Sequence, residues 1–328
     1  MDTMYDDIAK RQGNNGLRAF KRSFGSPITI VSADWEVNKY ILEHVDKYEK
    51  GSFMRDSMHP LLGDGIFNVD GPQWLEQRKA ASFMFAKREL KAMVEVFVRH
   101  FAELDALLVE GRPVEFQALA SSYTLDCFCE LAFGLDTGAL RGESQFGAAF
   151  NAAQAATLQR FVFFPWWKVL PSFLFPHEAR LRTAVAQLDA TIFALVRERR
   201  ADPQLAQRED LLSRLLQSDS FCDDRYVRDA VLNFILAGRD TTAQTILWSM
   251  YLLAENPAVR QRVEAECGAL QGPLSYGALK SLPYTEHFIY ETLRLYPPVP
   301  SDPKQVMQDD VLPGGIRVYA GESGGGVE

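Results

Sequence analysis

The residues best suited to chemistry interrupt a long apolar helix. The predicted helix Asp223–Glu255 carries the polar sequence AGRDTT at residues 237–242. Asp240 stands beside the hydroxyl of Thr241, and a Thr hydroxyl can donate to a carbonyl one turn earlier and loosen the helix. A loosened turn admits water, so the acid, the alcohol and water together predict a proton relay. Gly238 lacks a side chain, which lets a flat group approach the backbone. The alternative interpretation is a helix bend whose polar groups are all hydrogen-bonded.

Two further pairs each occupy one face of a predicted helix. Glu291 and Arg294 are three residues apart in an apolar segment that continues into LRLYPPVP, and Trp74 and Arg78 are four residues apart. Side chains at these spacings lie on the same side of a helix. An E-x-x-R pair alone is common on protein surfaces, so its meaning depends on the motifs around it.

Cysteine spacing and composition exclude several classes of protein. Cys127 and Cys129 are one residue apart and Cys222 and Cys267 are isolated, so no metal site with the usual ligand spacing is predicted. Four cysteines in 328 residues are typical of reduced, core-filling thiols in a protein that faces the cytosol. A net charge of −8 without a Lys/Arg block argues against a nucleic-acid binder. The N-terminal residues contain no apolar run, so neither a signal peptide nor a membrane anchor is expected.

A mainly α fold with a small β portion near the N-terminus must position these residues. The β-branched run Ile28–Val31 predicts a strand, followed by a helix start at Ser32–Asp34. From about residue 72 to residue 300 apolar residues recur at helical spacing. Arg239 and Asp240 make a membrane span unfavourable for the central helix, which is therefore expected to be buried. The other predicted helices are Leu119–Phe133, stopped by Gly134, Glu178–Arg200 and Asp210–Gln217.

An aromatic segment, defined here as residues 160–180, joins two of these helices. Three prolines prevent one continuous helix, so a bent connector is predicted. Its rings either cap the core or form an apolar surface that touches a membrane or admits an apolar ligand. The rings are Phe161, Phe163, Phe164, Trp166, Trp167, Phe173 and Phe175.

Together, and in this order, WLEQR, AGRDTT and ETLR resemble the motifs of the cytochrome P-450 family of haem-thiolate monooxygenases. The segments LLGDGIFNVDGPQW and PLSYGALKSLPYTEHFIYETLRLYPPVP are similar to fungal microsomal members that hydroxylate alkanes and fatty acids. The resemblance implies one domain over residues 1–328 with the cytochrome P-450 fold, and haem as the cofactor. It implies that one atom of O₂ enters a C–H bond of a lipophilic substrate, with electrons from an NADPH-cytochrome reductase. It also implies the cytosolic face of the endoplasmic reticulum membrane.

The resemblance assigns the chemistry to the central helix. Thr241 would donate a hydrogen bond to the oxygen being activated and would also contact the cofactor. Asp240 would feed protons to it from solvent. Ala237 and Gly238 would lie against the haem face.

The remaining assignments concern haem attachment and the scaffold. Trp74 and Arg78 would reach a haem propionate. Lys304 stands near the place where many relatives carry a propionate-binding arginine. Glu291 and Arg294 would form a buried structural pair behind the haem, and loss of either partner would leave an unpaired buried charge.

The sequence departs from the family at its C-terminus. Relatives carry a glycine-rich F-x-x-G-x-R-x-C loop whose thiolate binds the haem iron, whereas this chain finishes with ESGGGVE. No protein ligand to the metal is therefore assigned, and a C-terminally truncated member without an N-terminal anchor is expected. Two functions remain open: a monooxygenase, or a non-catalytic remnant that binds lipophiles or does not fold stably. Without an anchor, the cytoplasm is the alternative location.

Overall fold

The computed structural model describes residues 17–21, 28–82, 87–164, 166–169, 171–218, 221, 223–321 and 323–327. The chain divides into two compact units. The first takes in residues 1–59, 68–75 and 299–328, and the second takes in residues 60–67 and 76–298. The single domain expected over residues 1–328 stays a prediction.

The strands described belong to the first unit. In its larger sheet β1 pairs with β2 in antiparallel register, β2 pairs with β8 in parallel, and β4 pairs with β8 in antiparallel orientation. Two smaller sheets join β3 to β5 and β6 to β7. The strands are β1 Leu17–Lys21, β2 Ile28–Ser32, β3 Tyr48–Glu49, β4 Asp302–Pro303, β5 Gln305–Val306, β6 Asp310–Leu312, β7 Ile316–Val318 and β8 Ser323–Val327.

The strand predicted at Ile28–Val31 is confirmed, but the β portion is not confined to the N-terminal region. Residues 302–327 supply five of the eight strands in the part of the chain that the structure describes. A strand needs backbone partners that lie far away in the sequence, so its local pattern does not reveal which segments complete the sheet.

The first helix of this unit begins where the sequence predicts. Helix α1 runs over Trp35–Glu43, and the carboxylate of Asp34 accepts hydrogen bonds from the backbone N–H groups of Glu36 and Val37 at 2.8 and 3.3 Å. Such a cap satisfies N–H groups that have no partner within the helix. The apolar face of α1 then packs into a core formed by Val37, Ile41, Tyr48, Val306, Leu312 and Val318.

The rest of the chain is mainly helical, as predicted. Short 3₁₀ turns at Ser172–Leu174 and Leu205–Gln207 separate some of the helices. The remaining helices are α2 Gly51–Leu62, α3 Gly71–Ala81, α4 Lys87–Asp105, α5 Phe116–Phe133, α6 Gln145–Val162, α7 Trp166–Val169, α8 Pro176–Arg200, α9 Leu211–Gln217, α10 Asp224–Glu255, α11 Pro257–Gly268, α12 Tyr276–Leu279 and α13 Pro283–Leu295. Gly134 ends α5 in the left-handed conformation, with φ of 63°, as its position in the sequence predicts.

In the second unit, helix α10 packs along α5, and α6 packs along α8. The first half of α10 is buried, which confirms the prediction of a buried central helix for that half. For the second half the prediction is wrong, since Met250 and Tyr251 are exposed. There α10 contacts α11 and α13, whose own side chains are mostly exposed. No helix among the described residues has the length and hydropathy that crossing a bilayer requires.

Candidate functional site

The acid–alcohol pair lies on α10 as the sequence predicts. Thr241 Oγ1 donates to the carbonyl oxygen of Ala237 at 2.7 Å, and Thr245 Oγ1 donates to that of Thr241 at 2.9 Å. These are the bonds to the preceding turn that the residue types favour. The helix nevertheless continues unbroken from Asp224 to Glu255, so the hydroxyls bind the helix backbone without ending it.

The carboxylate of Asp240 is held by two donors. Arg239 Nη1 donates to its Oδ1 at 3.0 Å, and Gln154 Nε2 donates to its Oδ2. Burial raises the pKa of Asp240 above that of a solvated carboxyl, although Arg239 and Gln154 act in the opposite direction. A carboxyl with a raised pKa can carry a proton closer to neutral pH. A raised pKa is one property that a proton relay requires, and the role of Asp240 in such a relay stays a prediction.

Sequence reasoning missed the residues that position this carboxylate. From the sequence, Arg239 is interpreted only as a charge that is unfavourable in a membrane. In the structure it is 4% exposed, and it also donates to Asn151 Oδ1 at 2.5 Å and to Gln154 Oε1 at 3.0 Å. Asn151 and Gln154 lie on α6, whose sequence QFGAAFNAAQAATLQRFV is otherwise rich in Ala and Phe. Two amides three residues apart in such a helix were the available signal.

The flat group that approaches Gly238 in this structure is a protein side chain. A Cβ atom built on Gly238 would lie 2.1 Å from a ring carbon of Phe128, on α5. That close approach explains why no side chain stands there. The contacts of Ala237 and Gly238 with haem stay predictions.

The segment LLGDGIFN, residues 61–68, is anchored to the first half of α10. The backbone N–H of Asp64 donates to Asp229 Oδ2 at 2.9 Å, and that of Phe67 donates to Asn233 Oδ1 at 3.0 Å. Gly63 has φ of +52°, and a Cβ atom there would lie 2.0 Å from Asp229 Oδ2. The glycine permits both the turn and the approach of the carboxylate.

The Glu–Arg pair forms, but its predicted burial is wrong. Arg294 Nε and Nη2 donate to the two carboxylate oxygens of Glu291 at 2.7 and 2.6 Å. The Arg294 and Glu291 side chains are 66% and 55% exposed. The helical spacing specifies the pair, whereas burial depends on what packs against the outer face of α13. Among the described residues that face remains open to solvent.

The three predicted propionate ligands lie in different surroundings. In the first unit Trp74 is half-buried, with Lys50 Nζ 6.0 Å from its ring centroid. In the same unit Lys304 Nζ lies 2.9 Å from a carboxylate oxygen of Asp302. Arg78 belongs to the second unit, where it is exposed on α3. Their contact with a cofactor stays a prediction.

The donors of Trp74, Arg78 and Lys304 fit the propionates at the rim of a haem, whereas the described cysteines do not fit its iron. An indole N–H, a guanidinium and an ammonium suit the carboxylates of propionates. Burial raises the pKa of the Cys127 thiol to about 12 and also raises that of Cys129, which disfavours the thiolate that binds iron. Cys267 is exposed on α11, which corrects the expectation that it fills the core. Cys222 lies outside the described residues.

The aromatic segment divides between core and surface. Trp167 donates its indole N–H to the Arg160 carbonyl at 3.1 Å, and the Arg160 guanidinium lies 4.0 Å from the centroid of the same ring. Phe175 is buried, whereas Trp166 and Phe173 are 51% and 80% exposed. The predicted bend is confirmed, because α6 ends at Val162 and α8 begins at Pro176, with the short helix α7 and one 3₁₀ turn between them. Phe175 therefore caps the core, as one interpretation expects, whereas contact of the exposed rings with a membrane or an apolar ligand stays a prediction.

Comparison with known protein families and sequences gives consistent results. The family model described as Cytochrome P450 matches residues 20–323. Cytochrome P450 704C1 of Pinus taeda is 34% identical over 86% of this chain and 63% of its own length. Cytochrome P450 704B1 of Arabidopsis thaliana is 33% identical over 98% of this chain and 71% of its own. The cytochrome P450 monooxygenase cyp1 of Mycosarcoma maydis is 32% identical over 97% of this chain and 54% of its own. The chain thus spans less than two thirds of the Pinus taeda relative's length.

Among solved structures, the heme domain of cytochrome P450DA is similar to this chain with a TM-score of 0.83. The match covers 98% of this chain and 71% of that one, at 20% sequence identity. At this identity the likeness shows a shared fold. The mainly α architecture expected from the motifs is confirmed.

Proposed function

Since the chain belongs to the cytochrome P450 family, we propose that it acts as a haem-dependent monooxygenase. It inserts one atom of O₂ into a C–H bond of a lipophilic substrate, such as a fatty acid or an alkane, and takes electrons from an NADPH-cytochrome reductase. When bound, the haem supplies the redox chemistry that activates dioxygen. The observation that carries the proposal is the Asp240–Thr241 pair, with its carboxyl of raised pKa on an unbroken helix.

The chain's own residues move the proton. The Asp240 side chain is 30% exposed, so its carboxyl exchanges protons with solvent while two donors hold its oxygens. Thr241 Oγ1 would accept a hydrogen bond from this carboxyl through water and would turn its own proton from the Ala237 carbonyl toward the oxygen being activated. The freed carbonyl keeps its place in the helix ladder, so the rotation costs one side-chain hydrogen bond.

The chain's N–H donors would hold the haem from its rim. Trp74, Arg78 and Lys304 are the residues that would bind the propionates through N–H donors, and the charged donors would give the stronger bonds. Arg and Lys are not equivalent here, because a guanidinium can bind a carboxylate with two parallel bonds and an ammonium cannot. Replacing Lys304 by Arg is therefore expected to tighten haem binding.

The test of the oxygenase is made on the haem-loaded protein with reductase. Thr241→Ala should lower the product formed per NADPH by about tenfold or more, because proton delivery is lost. The affinity for substrate should stay unchanged. Thr183→Ala is the matched control, since Thr183 Oγ1 also donates to the carbonyl four residues earlier, at 3.1 Å, but on α8. Normal coupling in Thr241→Ala would refute the proposed relay.

Haem binding itself is tested by titrating haem into the 328-residue chain. Arg78→Ala should weaken uptake. The reduced carbon-monoxide difference spectrum should lack the thiolate signature, because the buried thiols of Cys127 and Cys129 resist ionisation. A full-occupancy thiolate signal would show that one of the chain's cysteines binds the iron.

A second function is favoured by the exposed rings of the aromatic segment. Trp166, Phe173 and Lys168 are all exposed. Such a set suits the surface of a lipid bilayer, because aromatic rings and basic side chains both interact favourably with its headgroup region. We infer that these rings contact the cytosolic face of the endoplasmic reticulum membrane. In the alternative in which the chain is not catalytic, it would bind lipophiles and the membrane but would carry out no oxygenation.

Vesicle binding tests this second function. The double variant Trp166→Ser, Phe173→Ser should bind vesicles containing phosphatidylserine several-fold more weakly, with an unchanged thermal midpoint. Phe101→Ser is the matched control, because Phe101 on α4 is also 51% exposed. Equal binding by all variants would leave these rings without a membrane function.

A further inference from the structure

Two amide side chains of α6 reach the charged residues at the middle of α10. Gln154 uses both ends of its amide: Nε2 donates to Asp240 Oδ2, and Oε1 accepts from Arg239 Nη1 at 3.0 Å. Asn151 Oδ1 accepts from Arg239 Nη2 at 2.5 Å. Arg239 Nε also donates to the carbonyl of Ser121 on α5, at 3.3 Å. The guanidinium is thereby fixed from two neighbouring helices.

Among the described residues, one charged side chain acts on the Asp240 carboxylate. On its own helix there is Arg239, whose side chain is 5% exposed. From α6 comes the neutral amide of Gln154. The amide of Asn151 and the thiol of Cys129 on α5, whose pKa is raised by burial, interact with Arg239 instead. One carboxylate therefore faces one guanidinium, and Gln154 is the further donor to its charged form.

Gln154 makes the contact that can be changed without altering the net charge. A hydrogen bond to a carboxylate stabilises the ionised form more than the protonated form. With Arg239 held by Asn151 and Ser121, the second carboxylate oxygen depends on the amide of Gln154. Removing that amide would leave the carboxylate of Asp240 less firmly oriented and would raise its affinity for a proton.

We propose that Gln154 is a positioning residue for the proton-delivering carboxylate of Asp240. It orients Oδ2 and sets the pH at which the carboxyl gives up its proton. The proposal rests on the proposed oxygenase function and adds a residue on α6 to it. The last turn of α6 carries Arg160, whose guanidinium binds the Glu178 carboxylate at 2.6–2.7 Å and stacks on Trp167. One helix thus connects the aromatic segment with Asp240.

The experiment is a titration of the chain itself, without haem. The protein is labelled with ¹³C at the aspartate carboxyl carbons, and the Asp240 signal is assigned by its loss in Asp240→Asn. In Gln154→Leu its titration midpoint should rise by about one pH unit, a tenfold change in acid dissociation constant. Gln159→Leu, an exposed glutamine on the same helix, should leave the midpoint unchanged. Gln154→Met is the second variant, used if the Leu side chain prevents folding.

An unchanged midpoint in either folded Gln154 variant overturns the proposal, as does an equal rise in Gln159→Leu. A loss of thermal stability with no change in midpoint would show that Gln154 only packs. Because no haem is involved, the titration is independent of the oxygenase test. Normal coupling in Thr241→Ala together with a shifted Asp240 midpoint would refute the proposed relay through Thr241 and leave the positioning of Asp240 by Gln154 intact.

Discussion

Replacing Gly238 by Ala puts a methyl group where the structure places the ring of Phe128. The new Cβ atom would lie 2.1, 2.4 and 2.5 Å from Cδ2, Cε2 and Cγ of that ring. Cγ is the ring carbon that joins the side chain's Cβ, so it stays in place when the ring rotates. Rotating the ring cannot clear all three contacts, so Phe128 must move as a whole. It packs edge-on against Phe133, whose side chain is fully buried, with 5.8 Å between centroids.

The magnitude follows from two opposing effects. In an unobstructed helix Gly→Ala stabilises by about 1 kcal/mol. Overpacking a core costs about 1–3 kcal/mol, and contacts this short favour the upper end. The net result is a loss of about 2 kcal/mol. At roughly 2–4 °C per kcal/mol for a unit of this size, the thermal midpoint should fall by about 4–8 °C.

Thermal unfolding followed by circular dichroism measures the effect. Gly268→Ala on α11 is the control, since a Cβ atom there meets nothing within 4 Å, and its midpoint should rise slightly. In a Phe128→Ala background Gly238→Ala should also stabilise, because the obstruction is gone. A rise in midpoint for Gly238→Ala in the native background would refute the contact with Phe128 and return Gly238 to the prediction that it faces the cofactor.

Three further predictions concern charged residues. Glu291→Gln should leave the urea midpoint unchanged, because the pair with Arg294 is exposed and screened by water; a large loss would show that the pair is covered. Arg160→Met should cost about 3–5 kcal/mol in unfolding free energy, since it strands the buried Glu178 carboxylate, and adding Glu178→Met should recover much of the loss. Asp240 has a raised pKa in the folded protein. The unfolding free energy of the wild type, relative to that of Asp240→Asn, should therefore fall as pH rises from about 4 through the folded pKa and then level off. An opposite slope between pH 4 and 7 would contradict the raised pKa.

Local features of the fold could be predicted from the sequence because each depends on residues a few positions apart. Asp34 caps α1 and Gly134 ends α5, since a cap satisfies backbone groups within three or four residues. The extent of α10 follows from its apolar content and the Asn256–Pro257 stop. The hydroxyl of Thr241 returns to Ala237 for the same reason, as its acceptor lies one turn away.

What surrounds those features was decided only by the tertiary structure. Gln154 is 86 residues from Asp240, and the ring that fills the space beside Gly238 comes from another helix. Spacing within a helix specifies the Glu291–Arg294 pair but not its exposure, which depends on what packs against its outer face. The physical reason is the range of the interactions. Helix hydrogen bonds and caps act over about four residues, whereas burial, pKa and close packing depend on which faces of distant helices meet.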